Sequence, residues 1–318
     1  MPATEGEGEN RAEKMRKNHD WVDFLVNTHD GRTCHLKIPT EKFLVNKESL
    51  LAAYGPWTHF IVTKSPEPIT VERSENPSLD FPLFHAQQCP STMDLAWLLH
   101  DHNEFPVWST VLSDQQLSGR GQFKRQWISR PGNLYVSFRF PETNSLSAAP
   151  LITALAINRV LQQLNLYSEY KWPNDILVHG KKMGGILVED RSGVVIVGIG
   201  LNLVQSPTSG DMRDHSWLSA GHLAESGLSI TPMEIWEIIA KSIMELSDLY
   251  AGGNNHEEII KPLERIMAFG GERVVFKPLD GMEFPAVISG LSETGGIRLK
   301  TSDGERIFLS GSFTPVIH

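Results

Sequence analysis

Cysteine is nearly absent from this chain: there are two, Cys34 and Cys89, in 318 residues. Neither belongs to a Cys-x-x-Cys pair, which argues against a zinc ribbon or a disulfide scaffold and fits a reducing compartment. Long hydrophobic runs are missing too. No stretch of about eighteen apolar residues occurs, so no membrane span is expected. The N-terminal residues are polar and mixed in charge, without the apolar centre of a signal peptide. A cytoplasmic location is therefore expected. Positive charge is in deficit, with 29 Lys and Arg against 38 Asp and Glu and a formal net charge of −9. Neither nucleic acid nor an anionic membrane is an expected partner. A His-Glu-x-x-His zinc site and a Gly-x-Ser-x-Gly elbow are lacking. So is a P-loop, because Gly180-Lys181 is followed by Lys182 rather than Ser or Thr. What is there is 40% hydrophobic and 21% charged, enough apolar material for a sizeable core and more than one domain.

Residues 1–19 offer little to bury and read as a disordered tail. Residues 20–80 read as a small α/β appendage. Trp21 to Val26 and Arg32 to Ile38 flank Asp30-Gly31, a hairpin signal. Leu50 to Ile61 is apolar and aromatic, and Ser65 to Asp80 is rich in Pro, Ser and Glu like a linker. From about 82 the patterns sharpen. Ser91-Thr92 can cap a helix carrying Leu95, Leu98 and Leu99. Strands are expected over Pro106–Leu112 and Asn133–Phe140, parted by a polar loop from Ser113 to Gly132. Ala148–Leu166 has the broad apolar face of a helix, from Leu151, Leu155, Ile157, Val160, Leu161 and Leu164. Asp175–His179, Met183–Glu189 and Val194–Leu203 read as strands joined by tight turns. Thr231-Pro232-Met233-Glu234 is a capping box opening a helix through Ile235, Ile239, Ile243 and Leu246. A second helix, from His256 to Phe269, is expected to bend at Pro262. Beyond Gly270, short strands at Arg273–Phe276, Glu283–Ser289, Gly296–Lys300 and Arg306–Leu309 suggest a small β-barrel over 270–318. Helices are too few for a repeated strand–helix–strand sheet, so residues 82–268 read as α+β, with an antiparallel or mixed sheet and packed helices.

Three stretches could carry chemistry. In Gln115–Trp127 the glycines Gly119 and Gly121 would let backbone N–H groups approach an anion. Arg120, Lys124 and Arg125 add charged donors, and Trp127 a flat wall; a solvated basic loop explains the same residues about as well. Lys171 precedes Trp172-Pro173-Asn174-Asp175. A lone lysine usually faces water, but one flanked by Tyr170 and Trp172 is expected at a cleft, where its ammonium can steady charge growing on a phosphate or carbonyl oxygen. Asn174 and Asp175 either form the turn after Pro173 or act, Asp175 by orienting Lys171 or by helping hold a metal-bound phosphate. Gly198–Leu203 ends a buried strand, where Asn202 either satisfies local backbone or reads an adenine edge. His100-Asp101-His102 reads as a polar helix end rather than a metal site.

Taken jointly, these motifs resemble the biotin protein ligase family over roughly residues 84–318. They fall in that family's order: Ser91-Thr92; Gln116 with Gly119-Arg120-Gly121; Trp127 and Ser129; Gly132-Asn133-Leu134-Tyr135; Lys171 to Asp175; Gly184 to Glu189; Gly198 to Asn202. The resemblance implies a class II aminoacyl-tRNA synthetase-like mixed sheet flanked by helices, with a C-terminal SH3-like barrel. It implies ATP and Mg²⁺ as cofactors and biotin as substrate: biotin is activated to biotinyl-5′-AMP and passed to a lysine of a carboxylase's biotin-carrier domain. Lys171 and Arg120 would be catalytic. Biotin would meet Ser91, Thr92, Met93, Gln116, Arg120, Gly121, Gln122, Lys171, Gly184 and Gly185. The nucleotide would meet Arg120, Gln122, Lys124, Arg125, Trp127, Lys171, Asn174 and Asn202, with Mg²⁺ held mainly by the ATP phosphates and Asp175 the one protein ligand considered. Two positions depart from the family pattern: Gln122 replaces the second arginine of Gly-Arg-Gly-Arg, and Met93 stands where asparagine is frequent. The first predicts weaker retention of the adenylate or compensation by Lys124 or Arg125. Residues 1–80 do not read as a helix-turn-helix, so no repressor function is expected. Two alternatives are a lipoate or octanoate ligase and a non-catalytic biotin-sensing module; a homodimer is compatible with all three.

Overall fold

The computed structural model describes residues 21–27, 33–39, 57–62, 69–75, 81–142, 148–208, 210–211, 217–251, 256–279 and 281–316. Two compact units divide the chain, Met1–Gln87 and Gln88–His318. The first contains strands β1 (Trp21–Asn27), β2 (Thr33–Pro39), β3 (Trp57–Val62) and β4 (Ile69–Glu75), and most of β5 (Pro82–Cys89). Successive strands pair antiparallel. β1 and β2 form the expected hairpin, with Asn27 opposite Thr33. The Asp30-Gly31 turn, the tail over 1–19 and any helical part of the expected α/β appendage lie outside the described residues. The linker expected from Ser65 to Asp80 is corrected, since Ile69–Glu75 is a strand. The consecutive β-branched residues Ile69, Thr70 and Val71 outweigh the polar composition around them.

In the second unit, β6 (Thr110–Gln116), β7 (Leu134–Phe140), β8 (Ser168–Lys171), β9 (Asp175–Val178), β10 (Lys181–Arg191) and β11 (Val194–Leu201) lie in the order β6-β7-β11-β10-β9-β8. These neighbours are antiparallel. Beside β6 the chain runs parallel: Leu117 N–H donates to Cys89 O at 2.9 Å and Ser118 N–H to Pro90 O at 2.8 Å. The sheet is therefore mixed. Two-residue turns, His179-Gly180 and Ser192-Gly193, join β9 to β10 and β10 to β11. Both residues of each have positive φ, the geometry that matches strand twist in a tight hairpin.

Helix α1 (Thr92–Asp101) starts at Ser91, whose hydroxyl accepts from Met93 N–H at 3.3 Å. Helix α2 (Ala148–Gln163) buries Leu151, Leu155, Ile157, Val160 and Leu161. Each contributes about 1.5–3 kcal/mol relative to an exposed position. Helix α3 (Pro232–Ala251) has its capping box: Glu234 N–H donates to Thr231 Oγ1 at 3.2 Å, and Thr231 N–H to Glu234 Oε2 at 2.8 Å. Helix α4 (His256–Arg265) stops short of the expected Phe269, which has φ 64°. The first strand expected after α1 also moves, from Pro106–Leu112 to Thr110–Gln116. Trp108 has φ 70°, which interrupts extended backbone there.

A separate antiparallel sheet follows, of β12 (Arg273–Lys277), β13 (Phe284–Leu291), β14 (Ile297–Thr301), β15 (Gly304–Phe308) and β16 (Ser312–Pro315), in the order β15-β14-β13-β12-β16. Sequence patterns found four of these and missed β16. This sheet is fastened to the turn between β8 and β9 and to α4. Trp172 Nε1–H donates to Gly295 O at 3.0 Å. Glu264 Oε1 accepts from Leu291 N–H at 2.7 Å and from Arg298 Nη2 at 2.8 Å.

Candidate active site

The cleft is built on a bare stretch of β10 and β11. A bulge at Met183 shifts the pairing of β9 with β10: Lys182 lies opposite Leu177, but Gly185, not Gly184, lies opposite Asp175. Because faces alternate along a strand, one inserted residue decides which glycine enters the cleft. Gly185 is also opposite Gly200 on β11. The indole of Trp127 covers this pair. A Cβ on Gly200 would come within 2.6 Å of Trp127 Cε2, and one on Gly185 within 3.2 Å of Cζ3. The glycines thus admit a protein side chain, which itself lines the cleft.

At one end the walls are neutral. Thr92, in the first turn of α1, donates from its backbone N–H to Gln116 Oε1 at 2.9 Å, and its hydroxyl lies 2.8 Å from Ser137 Oγ. Gln116 Nε2 donates to Ser129 Oγ at 3.0 Å. Ser91, Met93, Val136, Leu187 and Gly198 complete this part of the lining. Polar atoms held in fixed directions within an apolar wall suit an uncharged ligand with a few hydrogen-bonding groups.

The other end is charged. Lys171 and Asp175 are opposite one another across β8 and β9, with Lys171 Nζ 3.1 Å from Asp175 Oδ2. Lys182 Nζ lies 2.5 Å from the second oxygen, Oδ1. Burial alone would raise the Asp175 carboxyl pKa; the ammonium groups of Lys182 and Lys171 outweigh it and hold the group below the ordinary carboxylate range. The Lys171 ammonium also faces two aromatic rings, Phe313 of β16 at 5.1 Å and Trp217 at 5.6 Å. Two side chains brace the turn between. The Tyr170 hydroxyl donates to Pro173 O, and Asn174 Nδ2 donates to Ile186 O at 2.8 Å.

The rim is the loop from Gly119 to Trp127. It is closed by Gly121 N–H to Arg125 O at 2.7 Å and Trp127 N–H to Gly119 O at 2.7 Å. Arg120 is held by two carboxylates, Asp94 Oδ1 at 2.6 Å and Glu189 Oε1 at 3.1 Å. Gln122, Phe123 and Arg125 also line the cleft, and the Arg125 guanidinium lies over the Phe123 ring at 5.6 Å.

Residues 85–222 match the model of the biotin/lipoate A/B protein ligase family. A bifunctional ligase/repressor, BirA, of Bacillus subtilis is 39% identical over 116 residues, 33% of this chain and 36% of the relative. A biotin–[acetyl-CoA-carboxylase] ligase of Paracoccus denitrificans is 32% identical over 141 residues, 41% of this chain and 59% of the relative. The chain therefore spans only about a third to three-fifths of the length of these curated relatives. Among solved structures, a biotin protein ligase from Aquifex aeolicus, in complex with biotin and ATP, aligns with TM-score 0.63 at 29% identity. That alignment covers 73% of this chain and 97% of the other. Residues 85–222 belong to the biotin/lipoate A/B protein ligase family.

Most of the residues expected to act gather in this ligase-family cleft: Ser91, Thr92, Met93, Gln116, Arg120, Gly121, Gln122, Arg125, Trp127, Lys171, Asn174, Asp175 and Gly185 all line it. Two lie elsewhere. Gly184 faces Leu201, where its Cβ would meet Cδ2 at 2.3 Å, because of the bulge. Asn202 is buried beyond the cleft. Its Nδ2 donates to Gly221 O at 3.0 Å, its backbone N–H donates to Met183 O, and its Oδ1 has no hydrogen-bond partner. The Lys124 side chain is outside the description. Asn174 is engaged with β10, which supports its turn-forming role. As a metal ligand Asp175 fits poorly, since each of its oxygens already meets a lysine ammonium. Among the described residues no cluster of three or more His, Cys, Asp or Glu could hold a metal ion. Also among them, no helix is long and apolar enough to cross a membrane. Sequence reasoning missed Ser137, Lys182 and Ser312, which also line the cleft.

Proposed function

We propose that this cleft activates biotin with ATP and transfers it to a protein lysine. The observation that carries the reading is the pairing of a neutral hydrogen-bonding end with a cationic end in one cleft. Biotin's uncharged ring system suits the first, formed by Thr92, Gln116 and Ser137. Its carboxylate and the α-phosphate, both anionic, suit the second, at Lys171. In the first step a carboxylate oxygen bonds to the α-phosphorus and the bond from that phosphorus to the bridging oxygen breaks. The products are biotinyl-5′-AMP and pyrophosphate. In the second step the neutral amine of an acceptor lysine bonds to the acyl carbon, AMP leaves with the electron pair, and the amine gives its proton to solvent. Lys171 is positioned to donate hydrogen bonds to oxygens on which charge accumulates; removing such a donor lowers the rate by roughly 10²–10³. Trp127 offers the adenine a face, and the loop from Gly119 to Trp127 shields a hydrolysable anhydride from water.

The acceptor in this reading is a carrier domain of a biotin-dependent carboxylase, and the reaction is cytoplasmic. Mg²⁺ arrives on the ATP phosphates. The larger sheet with its helices corresponds to a class II synthetase-like core and the C-terminal sheet to an SH3-like barrel, which supplies Ser312 to the cleft lining and the Phe313 ring beside Lys171. The test is a streptavidin blot of a carboxylase biotin-carrier domain incubated with the full chain, biotin, ATP and Mg²⁺. Biotinylation is expected. Transfer of lipoate in place of biotin would assign the chain to the other branch of its family, and no transfer of either by folded protein would leave a sensor.

A further inference from the structure

Lys181 and Lys182 are adjacent in sequence, but they diverge in space. Lys181 Nζ lies 2.6 Å from Glu225 Oε2 at the surface. Lys182 turns into the cleft, with its backbone fixed from both sides: its N–H donates to Ser219 O at 2.8 Å, and its carbonyl accepts from Gly221 N–H at 3.0 Å. Its ammonium lies 5.5 Å from the centroid of the Trp127 ring and 2.5 Å from Asp175 Oδ1. Its side chain keeps 30% exposure, against 11% for Lys171.

The charge balance at this end is uneven. One carboxylate, Asp175, serves two ammonium groups. The carboxylates Asp94 and Glu189, on α1 and further along β10, are engaged by Arg120 on the rim. Lys171, Asp175 and Lys182 therefore carry one net positive charge together, in a setting where an unbalanced charge is unfavourable. Lys171 is fixed between Asp175 and two rings, while Lys182 retains donors directed at the open cleft, beside the indole that would face the adenine. An anion next to that indole is the polyphosphate of the nucleotide.

We propose that Lys182 binds the polyphosphate of ATP and steadies the pyrophosphate as it leaves; the proposal rests on the ligase reading above. When the phosphorus–oxygen bond breaks, the electron pair moves onto the pyrophosphate oxygen. The Lys182 ammonium donates a hydrogen bond to that charge and keeps its proton. Pyrophosphate has gone before the acyl transfer, so Lys182 serves only the first half-reaction, whereas Lys171 faces the acyl-phosphoryl junction in both.

The test compares the two half-reactions in the full chain. In Lys182→Met, biotin-dependent exchange of labelled pyrophosphate into ATP is expected to fall roughly 10²-fold. Transfer from supplied biotinyl-5′-AMP to a carrier domain should stay within about twofold of the parent, as expected where the lost donor meets no charge. ATP should bind about tenfold more weakly, with AMP binding unchanged, as loss of a charge-assisted hydrogen bond implies. Lys182→Arg should recover most of the exchange. Equal losses in both half-reactions, or equal weakening of ATP and AMP, would reduce Lys182 to a structural partner of Asp175 and overturn the proposal. Unimpaired exchange in Lys182→Met would overturn it as well. A parent chain that lacks both half-reactions would instead defeat the ligase reading.

Discussion

The two ends of the cleft are built on opposite principles. At the neutral end, Thr92, Gln116, Ser129 and Ser137 satisfy one another, so the network is complete before any ligand arrives. At the charged end, a single buried carboxylate is divided between two lysines and the local charge does not cancel. A complete network fixes shape, and its worth to a neutral ligand is measured in single hydrogen bonds. An incomplete charge set remains available to anions, and its worth rises as charge develops in a dry site. Substitutions at the first end should therefore change affinity for the neutral ligand, and those at the second should change rate.

The largest break in this contrast is expected at Asp175. Replacing it with Ala leaves two lysines without their shared partner, and removal of one member of a buried pair costs about 3–5 kcal/mol; urea unfolding would show it. The pH dependence follows in sign. The folded-state pKa of Asp175 is below its ordinary value, so the stability it contributes is present above the ordinary carboxylate range and is lost as pH falls through the lowered folded value. That acid limb should flatten in Asp175→Asn. Next is Gly200→Ala, whose new methyl would lie 2.6 Å from Trp127 Cε2. Overpacking of this kind costs about 1–3 kcal/mol; displacement of the indole should raise the KM for ATP about tenfold and leave biotin affinity nearly unchanged, by equilibrium binding. At the neutral end, Thr92→Val removes the hydroxyl that meets Ser137 and Gln116. A loss of about 1 kcal/mol should raise the KM for biotin about fivefold with kcat preserved, which steady-state exchange can separate. The smallest effect is expected for Phe313→Leu. It takes away one ring facing Lys171, worth about 0.5–1 kcal/mol, and should lower the kcat of exchange two- to fivefold without moving the KM for biotin.

Much of the charged end was legible in the sequence because it is local. Lys171 and Asp175 are four residues apart across a proline turn, and the hairpin sets them face to face. Ser91 was legible for the same reason, as a helix start. What was not legible depends on long-range pairing. Ser137 sits mid-strand with no local signal, and its importance comes from meeting Thr92 across 45 residues. The sequence offers two adjacent glycines, Gly184 and Gly185, and only the bulge at Met183 decides which faces the cleft. Lys182 registered only as the residue that spoils a P-loop after Gly180-Lys181, because its partner Asp175 lies on the neighbouring strand. β16, too short to stand out between Gly311 and Pro315, brings Phe313 to Lys171 from the far end of the chain. In each of these cases the deciding fact is strand register, which composition and periodicity do not contain.

The central claim is that Lys171 steadies charge where biotin's carboxylate meets the α-phosphate. Its most direct measurement is the formation of labelled biotinyl-5′-AMP from biotin and α-labelled ATP by the full chain and by Lys171→Met, with folding verified by circular dichroism. The account predicts adenylate from the parent and a rate roughly 10²–10³ lower in the variant. A folded Lys171→Met that makes the adenylate at the parent's rate would contradict it.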